Sequence, residues 1–168
     1  ESGENTIVGS DCLLMATSHV AHECVLGDGV ILANGVMMAG HATVGDDAFL
    51  SGYVVVHQFA RIGRLAMVSG ASTVRQDIIP FCVADGHPAR PKGLNVVGIR
   101  RAGMSAEQLR DLKRAYRVLF GHEGTLDRRL TELGEDSREG VPEVSELVEF
   151  VRASDRGIAR PRRRPRLS

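Results

Sequence analysis

The feature that most constrains this chain is a six-residue periodicity that runs from Val8 to Ile79 without interruption. The residue after each aliphatic position is usually small, and the fifth residue of each hexad is small or apolar. An α-helix repeats near 3.6 residues and an amphipathic strand at 2, so neither explains a period of six. The aliphatic positions of the twelve hexads are Val8, Leu14, Val20, Leu26, Leu32, Met38, Val44, Leu50, Val56, Ile62, Val68 and Val74.

A period of six residues is typical of hexapeptide-repeat β-helices. We expect three hexads to form one triangular coil, with each hexad on one side, its aliphatic side chain inward and small residues at the corners. Residues i and i + 18 should then stack at the strand spacing of about 4.8 Å. The residues before Val8 are few and polar and could not cap an open coil. We therefore expect further coils N-terminal to this sequence.

The composition agrees with a narrow aliphatic interior. Aromatic residues make up 4% of the chain and Trp is absent. Cys12 and Cys24 take the small inward position of hexads on different sides, so we expect core thiols and not a disulfide. We find no apolar run long enough for a membrane span and no signal-peptide pattern, so we expect a cytoplasmic protein without stable membrane insertion.

The periodicity also predicts the domain boundaries. Pro80 takes the aliphatic position of a thirteenth hexad and cannot donate to a β-ladder, so we place the β-helix at residues 1–80. A Gly/Pro-rich, irregular connection should follow at 81–103, and an α-helical domain at 104–157. Residues 158–168 should form a disordered, solvated basic tail, with no nucleic-acid partner.

Three helices are expected in the C-terminal domain. Ser105 and Gln108 have the spacing of a capping box at the start of the first helix. Thr125 is a predicted cap for the second, and Pro142 a predicted first residue for the third. The first helix carries a basic face that is either a solvated surface or a docking patch for an acidic protein partner. Its members are Arg110, Lys113, Arg114 and Arg117.

Histidines gather on one side of the predicted prism. The hexads that begin at Val20, Met38 and Val56 are one coil apart, and they contain His22, His41 and His57 respectively. His19 immediately precedes the same side. We expect these imidazoles to form a functional cluster.

Two chemistries fit such a cluster. A neutral imidazole can act as a general base, and Glu23 is adjacent in sequence to His22 and could orient it. Alternatively, three His nitrogens could converge on an open zinc ion. The histidines should lie on three levels of the prism, which suits a groove better than a point.

Five segments carry a more specific pattern. They are Leu13-Leu14-Met15 with His19-Val20-Ala21-His22-Glu23-Cys24, Ile31-Leu32-Ala33-Asn34, Ala39-Gly40-His41, Val55-Val56-His57-Gln58-Phe59, and Gly93-Leu94-Asn95-Val96-Val97-Gly98 with Arg100-Arg101. Together they resemble the UDP-N-acetylglucosamine O-acyltransferases of lipid A biosynthesis. The resemblance implies a left-handed parallel β-helix of hexapeptide repeats followed by a small C-terminal α-helical domain. It also implies a homotrimer with active sites between subunits.

The resemblance further implies a mechanism that needs no metal and no cofactor. His22 would remove the proton from the glucosamine 3-hydroxyl of the UDP-sugar, and the alkoxide would attack an (R)-3-hydroxyacyl thioester on acyl carrier protein. Glu23 stands where the family has Asp and would hold the His22 tautomer. The Gly40 N–H would donate to the oxyanion. Sugar, phosphate and acyl contacts would come from His19, His41, His57 and Gln58, and nucleotide contacts from Asn95 and Arg101.

Gly52 and Gly70 are eighteen residues apart and should stack at one corner of the prism. Both could supply a positive φ at a turn. The resemblance instead places Gly70 along an acyl groove, where the missing side chain would favour hydroxyacyl chains longer than ten carbons.

The sequence also fits three other functions. One is the N-acyltransferase of the same pathway, which would be expected to lack the asparagine–arginine segment. Another is a zinc-dependent hydratase of the γ-type carbonic anhydrase kind. The third is a fragment that trimerises without activity.

Overall fold

The computed structural model describes residues 5–121, 124–136 and 141–162. Each of the twelve hexads contributes one two-residue strand whose second residue is the aliphatic one. These strands are β1 Ile7–Val8, β2 Leu13–Leu14, β3 His19–Val20, β4 Val25–Leu26, β5 Ile31–Leu32, β6 Met37–Met38, β7 Thr43–Val44, β8 Phe49–Leu50, β9 Val55–Val56, β10 Arg61–Ile62, β11 Met67–Val68 and β12 Thr73–Val74.

The strands stack in parallel with the expected offset of eighteen residues, as in the pairs Ile7↔Val25 and His19↔Met37. Three sheets result, one for each side of the prism. We call β3, β6, β9 and β12 the His sheet, and β1, β4, β7 and β10 the helix-side sheet. The third sheet contains β2, β5, β8 and β11 and continues into two further strands. The β-solenoid prediction is confirmed.

The aliphatic positions form the solenoid core. From Leu26 to Val74 they are at most 2% exposed, and the fifth hexad residues from Cys24 onward are equally buried. Burying one such side chain contributes about 1.5–3 kcal/mol relative to leaving it exposed. In the first coil, however, Val8 and Leu14 are 44% and 43% exposed.

The corners depend on a residue with positive φ, three positions after each aliphatic residue from Val8 to Val68. Nine of these residues, including Glu23 and His41, are not glycine. From His41 onward their N–H groups donate to a carbonyl one coil below, as His41 does to His22, and this bond helps to offset the cost of the conformation. Gly52 and Gly70 have no positive φ, so that explanation for them is wrong.

The small residue after each aliphatic position has a different cause. At Gly45 an added Cβ would lie 2.7 Å from the backbone nitrogen of Arg64, and at Gly63 it would lie 2.4 Å from that of Pro80. Both distances are shorter than real Cβ contacts allow. The close approach of successive coils therefore selects glycine here, and not the backbone conformation.

The solenoid does not end at Pro80 in an irregular connection, as the period had suggested. Strand β13, Cys82–Asp85, pairs in parallel with β11 through Met67↔Val83, an offset of sixteen residues. Strand β14, Arg90–Leu94, then returns antiparallel to β13. The six-residue period stops because the last coil is shorter by two residues, and the alternation of a half-buried strand replaces it.

Among the described residues, four helices follow this hairpin. They are α1 Val96–Arg101, α2 Ala106–Leu119, α3 Leu126–Asp136 and α4 Pro142–Arg152. The capping box of Ser105 and Gln108 at α2 is confirmed, as is the cap on α3 from the Thr125 hydroxyl, which accepts from the Arg128 N–H. Helix α1 was not expected, since it lies within the predicted irregular connection.

The prediction that a disordered tail begins at residue 158 is wrong for its first residues. Ile158 and Ala159 are 5% and 3% exposed, and the Ala159 N–H donates to the Asp77 carbonyl. The buried Asp77 carboxylate also accepts from the Arg61 N–H and from the Ser154 hydroxyl. Ile158 and Ala159 therefore belong to the folded body, because their backbone extends the edge at Asp77. Residues 163–168 of the predicted tail lie outside the described residues.

The cysteines are free, as expected. Burial raises the pKa of the Cys24 and Cys82 thiols, so both remain protonated near neutral pH. Within the described part of the chain, no helix is long and apolar enough to cross a membrane.

Candidate active site

The site forms at the corner that follows the His sheet, because three columns of residues stack there at the eighteen-residue offset. Glu23, His41 and Phe59 share the corner position with positive φ, with values of 58°, 60° and 62°. His22 occupies the position just before Glu23, and Gly40 and Gln58 follow it one and two coils later. The third column consists of Ala21, Ala39 and His57.

The Glu23 carboxylate joins two imidazoles from successive coils. Its Oε2 lies 2.8 Å from His22 Nδ1 and 3.2 Å from His41 Nε2. The Glu23 side chain is 12% exposed, whereas that of His22 is 71% exposed. When Glu23 accepts a hydrogen bond from the Nδ1–H group of His22, the lone pair of the neutral ring lies on Nε2. The arrangement therefore gives His22 an available basic nitrogen.

Neighbouring rings hold the second imidazole. His41 stacks on Phe59 with a centroid distance of 4.5 Å and an interplanar angle of 12°. The rings of His22 and His41 meet edge to face at 5.1 Å. His41 is thus fixed by Glu23 on one atom and by Phe59 across its face.

Gly40 lies beneath the His22 ring. An added Cβ at Gly40 would lie 2.5 Å from His22 Cε1 and 2.6 Å from His22 Nε2, so only glycine allows this ring position. The Gly40 carbonyl accepts from the Phe59 N–H. The Gly40 N–H has no acceptor among the described residues. A base nitrogen and an uncommitted backbone donor therefore lie next to each other.

The other predicted residues surround this group without joining it. His57 Nδ1 contacts the Gln58 carbonyl at 3.1 Å, and His57 is exposed one coil beyond His41. His19 is the outward residue of β3 and is also exposed. Within the described residues, the only metal-competent group here contains His22, Glu23 and His41, so the three histidines do not converge on one point.

An apolar surface continues from the site across the His sheet. Its outward column contains His19, Met37, Val55 and Thr73, of which Met37 and Val55 are 52% and 44% exposed. Gly52 and Gly70 stack at the opposite corner of this sheet, where an added Cβ at Gly70 would touch only the Gly52 carbonyl and the Ser51 side chain, at 3.4 Å and 3.8 Å. This corner therefore has room for a longer side chain.

Asn95 is the residue just before helix α1, and Arg101 is its last residue. Among the described residues, we find no bond from either to the His22 cluster. The Asn95 amide caps α1 by accepting from the Gly98 N–H, and it donates to the Leu65 carbonyl at 2.9 Å. Asn95 therefore attaches α1 to the solenoid. Arg101 lies exposed in the last turn of that helix.

The basic face of α2 borders a groove. Lys113 and Arg117 line it together with Leu94, Val96 and Tyr116, and its volume is about 450 Å³. Burial raises the pKa of Tyr116 to about 12, so this phenol stays neutral. The surface combines cations with an apolar floor.

Sequence reasoning missed the contact between Glu23 and His41 and the role of Phe59. The signal was available, because 23, 41 and 59 differ by one coil each. Adjacency in sequence points only to His22, whereas the eighteen-residue offset connects the Glu23 carboxylate to His41 on the next coil.

Two family models match the chain. One, described as UDP N-acetylglucosamine O-acyltransferase, domain 2, matches residues 77–159, and the other, bacterial transferase hexapeptide, matches residues 5–40. A curated acyl-[acyl-carrier-protein]–UDP-N-acetylglucosamine O-acyltransferase from Alkalilimnicola ehrlichii is 46% identical over 95% of this chain and 62% of its own length. One from Agrobacterium fabrum is 43% identical over 97% of this chain and 60% of its own length. The chain thus spans about three fifths of these relatives.

Solved structures agree with these matches. The UDP-N-acetylglucosamine acyltransferase of Campylobacter jejuni is 30% identical with a TM-score of 0.84, and the alignment covers 95% of this chain and 71% of that one. The corresponding enzyme of Arabidopsis is 36% identical with a TM-score of 0.89, over 95% of this chain and 58% of that one.

Proposed function

The chain belongs to the UDP-N-acetylglucosamine O-acyltransferase family, and we propose that it transfers an (R)-3-hydroxyacyl group from acyl carrier protein to UDP-N-acetylglucosamine. This reaction is the first step of lipid A biosynthesis, and we place it in the cytoplasm. The observation that carries the proposal is the 2.8 Å contact of His22 Nδ1 with Glu23, with the other ring nitrogen held above Gly40.

His22 acts as the general base. Its Nε2 takes the proton of the glucosamine 3-hydroxyl while Glu23 holds the ring in the required tautomer and stabilises the imidazolium. The alkoxide then forms a bond to the thioester carbon. When the tetrahedral intermediate collapses, the carbon–sulfur bond breaks and the imidazolium returns the proton to the carrier thiolate. Protons and electron pairs balance without a metal or a redox cofactor.

Gly40 supplies the oxyanion donor. Negative charge develops on the thioester oxygen in the tetrahedral intermediate, and a fixed backbone N–H stabilises it without reorganisation. The absence of a side chain at Gly40 serves the base and the donor together. It admits the His22 ring, and it leaves the backbone accessible to the reacting carbonyl.

The remaining predicted residues bind the substrates. His19, His57 and Gln58 offer exposed polar atoms around the base, and His41 presents a ring fixed by Glu23 and Phe59. Arg101 is the candidate cation for the diphosphate, and Asn95 contributes by holding α1, with one amide hydrogen left to donate. We further propose a homotrimer, in which the exposed His-sheet face packs on another subunit and completes the nucleotide contacts.

Helix α2 is the proposed docking surface for the acidic acyl carrier protein. Its exposed cations attract a negatively charged helix, and the adjacent groove lined by Leu94, Val96 and Tyr116 accepts an apolar side chain of the partner. Binding of the carrier protein therefore combines long-range electrostatic attraction with a local apolar contact.

The test is an assay of the protein with 3-hydroxyacyl carrier proteins and UDP-N-acetylglucosamine, followed by mass spectrometry of the nucleotide sugar. We expect one acyl ester and release of the carrier thiol. A parallel assay uses a UDP-glucosamine acceptor with a free 2-amine. Transfer to that amine and none to UDP-N-acetylglucosamine would indicate the N-acyltransferase, and zinc-dependent CO₂ hydration without transfer would indicate the hydratase. Either result would overturn the proposal.

A further inference from the structure

The group of His22, Glu23 and His41 has a second property that general base catalysis does not use. Its three potential ligand atoms, one from each residue, all lie within 4.8 Å of one another. Glu23 Oε2 is 2.8 Å and 3.2 Å from the two ring nitrogens. Ligand atoms of a tetrahedral zinc ion, bound at about 2.0–2.1 Å, are separated by about 3.3 Å. Small side-chain rotations would bring the three atoms to that geometry.

The second oxygen of Glu23 provides independent support. Oε1 is buried and has no hydrogen-bond partner among the described residues. A buried carboxylate oxygen without a partner is unusual in folded proteins, and a bound ion or water is one explanation for it. A cation bound to this carboxylate would satisfy Oε1, either by direct ligation or through a bound water.

The ligand types favour zinc over harder cations. Two imidazoles and one carboxylate with an open fourth position are the donor set of several zinc sites, whereas Mg²⁺ and Ca²⁺ require mostly oxygen ligands. His41 is already held by Phe59, and Glu23 is mostly buried, so two of the three ligands need little ordering on binding.

We propose that His22, Glu23 and His41 bind one Zn²⁺ ion reversibly and that this ion inhibits the enzyme. The inhibitory part rests on the proposed acyltransferase function. Neutral His22 carries its proton on Nδ1 when that atom faces Glu23. Zinc bound at Nδ1 moves this proton to Nε2, so the nitrogen that should accept the hydroxyl proton is already protonated. The ion thus removes the base without displacing the ring.

The metal site is tested without substrates, on the purified protein freed of metal by chelation. Cobalt(II) is titrated in as a spectroscopic substitute, and zinc affinity is measured by competition with a chromophoric chelator. We expect one equivalent per chain and the strong visible absorption of four-coordinate cobalt. No absorption, or only the weak spectrum of octahedral cobalt, would overturn the site.

Three variants locate the ligands. His41→Ala should lower zinc affinity at least about tenfold, a loss in the range seen when metal sites are disturbed. Glu23→Asp should do the same, because the shorter side chain cannot reach both rings. His87→Ala is the matched control: His87 is exposed on the same face, its Nδ1 contacts the Thr73 hydroxyl, and it should leave zinc affinity unchanged. Equal affinity in wild type and His41→Ala would overturn the site, and circular dichroism verifies that each variant is folded.

The inhibitory effect is tested in the acyl-transfer assay. Zinc at the concentration that saturates the site should suppress transfer, and a chelator should restore it. Zinc binding without loss of transfer would overturn the inhibition. Metal-free protein that binds zinc but transfers no acyl group would instead refute the proposed function and leave the metal site standing.

Discussion

A single carboxylate organises the chemistry of this site at the residue scale. Glu23 lies at a corner with positive φ, and its Oε2 reaches an imidazole on its own coil and one on the next. The proposed family role needs only the first contact. The second gives His41 a fixed orientation, and so the proposed base and the proposed substrate-binding ring depend on the same group.

Replacement of His22 tests the base directly. His22→Ala should lower the rate of acyl transfer by about 10²–10⁴-fold, because it removes the proposed base, whose Nε2 lies against Gly40. Its side chain is 71% exposed, so the free energy of unfolding should change by less than about 0.5 kcal/mol. Steady-state kinetics and thermal unfolding measure the two quantities. A near wild-type rate would contradict the mechanism.

Gly40→Ala tests the position of the His22 ring. The added Cβ would lie 2.5 Å from His22 Cε1, so the ring must move away from the backbone donor. A displacement of about 1 Å can lower a rate about 10²-fold. We expect such a fall in kcat with little change in stability. Gly52→Ala is the control, since its Cβ would lie 3.4 Å from the Asn34 carbonyl, and it should have a modest effect. Equal rates for the two variants would contradict the role of Gly40.

Gly70 tests the acyl groove. Because an added side chain there meets only atoms at 3.4 Å and 3.8 Å, methionine should extend along the His sheet without disturbing the coils. Gly70→Met should shift selection toward shorter hydroxyacyl chains, since each methylene that loses its contact forfeits up to about 0.8 kcal/mol. Competition between carrier-bound donors of different length measures the preference. Identical profiles for wild type and variant would show that Gly70 does not face the acyl chain.

Sequence could place the histidines at the residue scale but not their partners. The offset of eighteen residues put His22, His41 and His57 on one side, and the structure agrees. The offset alone did not indicate the backbone conformation of Gly52 and Gly70. At their corners the residue with positive φ is the next one, Tyr53 or Ala71. The eighteen-residue offset predicts which residues stack on successive coils. The direction of each side chain depends instead on the backbone conformation at the corner.

Prediction at the element scale succeeded where a strict period was present. All twelve solenoid strands and the start of α2 follow from period and capping. Strands β13 and β14 were missed because the last coil is shorter by two residues, and the hexad count fails there. Helix α1 was missed because its cap is a single asparagine inside a Gly-rich segment, whose amide also needs the distant Leu65 carbonyl. Such tertiary contacts carry no periodic signal.

The basic face of α2 makes a prediction at this scale. Lys113→Glu should raise the KM for acyl carrier protein several-fold at low ionic strength and weaken its dependence on salt, because a steering charge is reversed. Arg128→Glu on α3 makes the same change in net charge at an exposed position away from the groove, and should have a smaller effect. Kinetics across a salt series distinguish the two. An equal response of both variants would show that this face of α2 is a solvated surface and not a docking site.

In the whole molecule, polar contacts join the solenoid to the C-terminal helical domain. The Asp77 carboxylate accepts from the Ser154 hydroxyl, and Arg64 pairs with Glu146 on α4 at 2.8 Å. These contacts fix the helices against the helix-side sheet and leave the outward face of the His sheet uncovered. The site therefore borders an exposed apolar surface that includes Met37 and Val55, and we propose that a second subunit packs there.

Val55 tests whether that surface is a subunit interface. Val55 is 44% exposed beside Met37, and Phe59 nearby is 49% exposed, so large apolar side chains lie together on the solvent side of this sheet. Such clusters often mark interaction surfaces. We expect trimers in solution, since a closed ring buries this face on every subunit. Val55→Asp would place an unpaired charge in the contact, so it should yield monomers and abolish acyl transfer while circular dichroism stays unchanged. Val97→Asp, at a position 60% exposed on α1, is the control for an added charge and should remain trimeric. Light scattering at micromolar concentration decides: a wild-type monomer that retains full transfer activity would show that the site is complete within one chain.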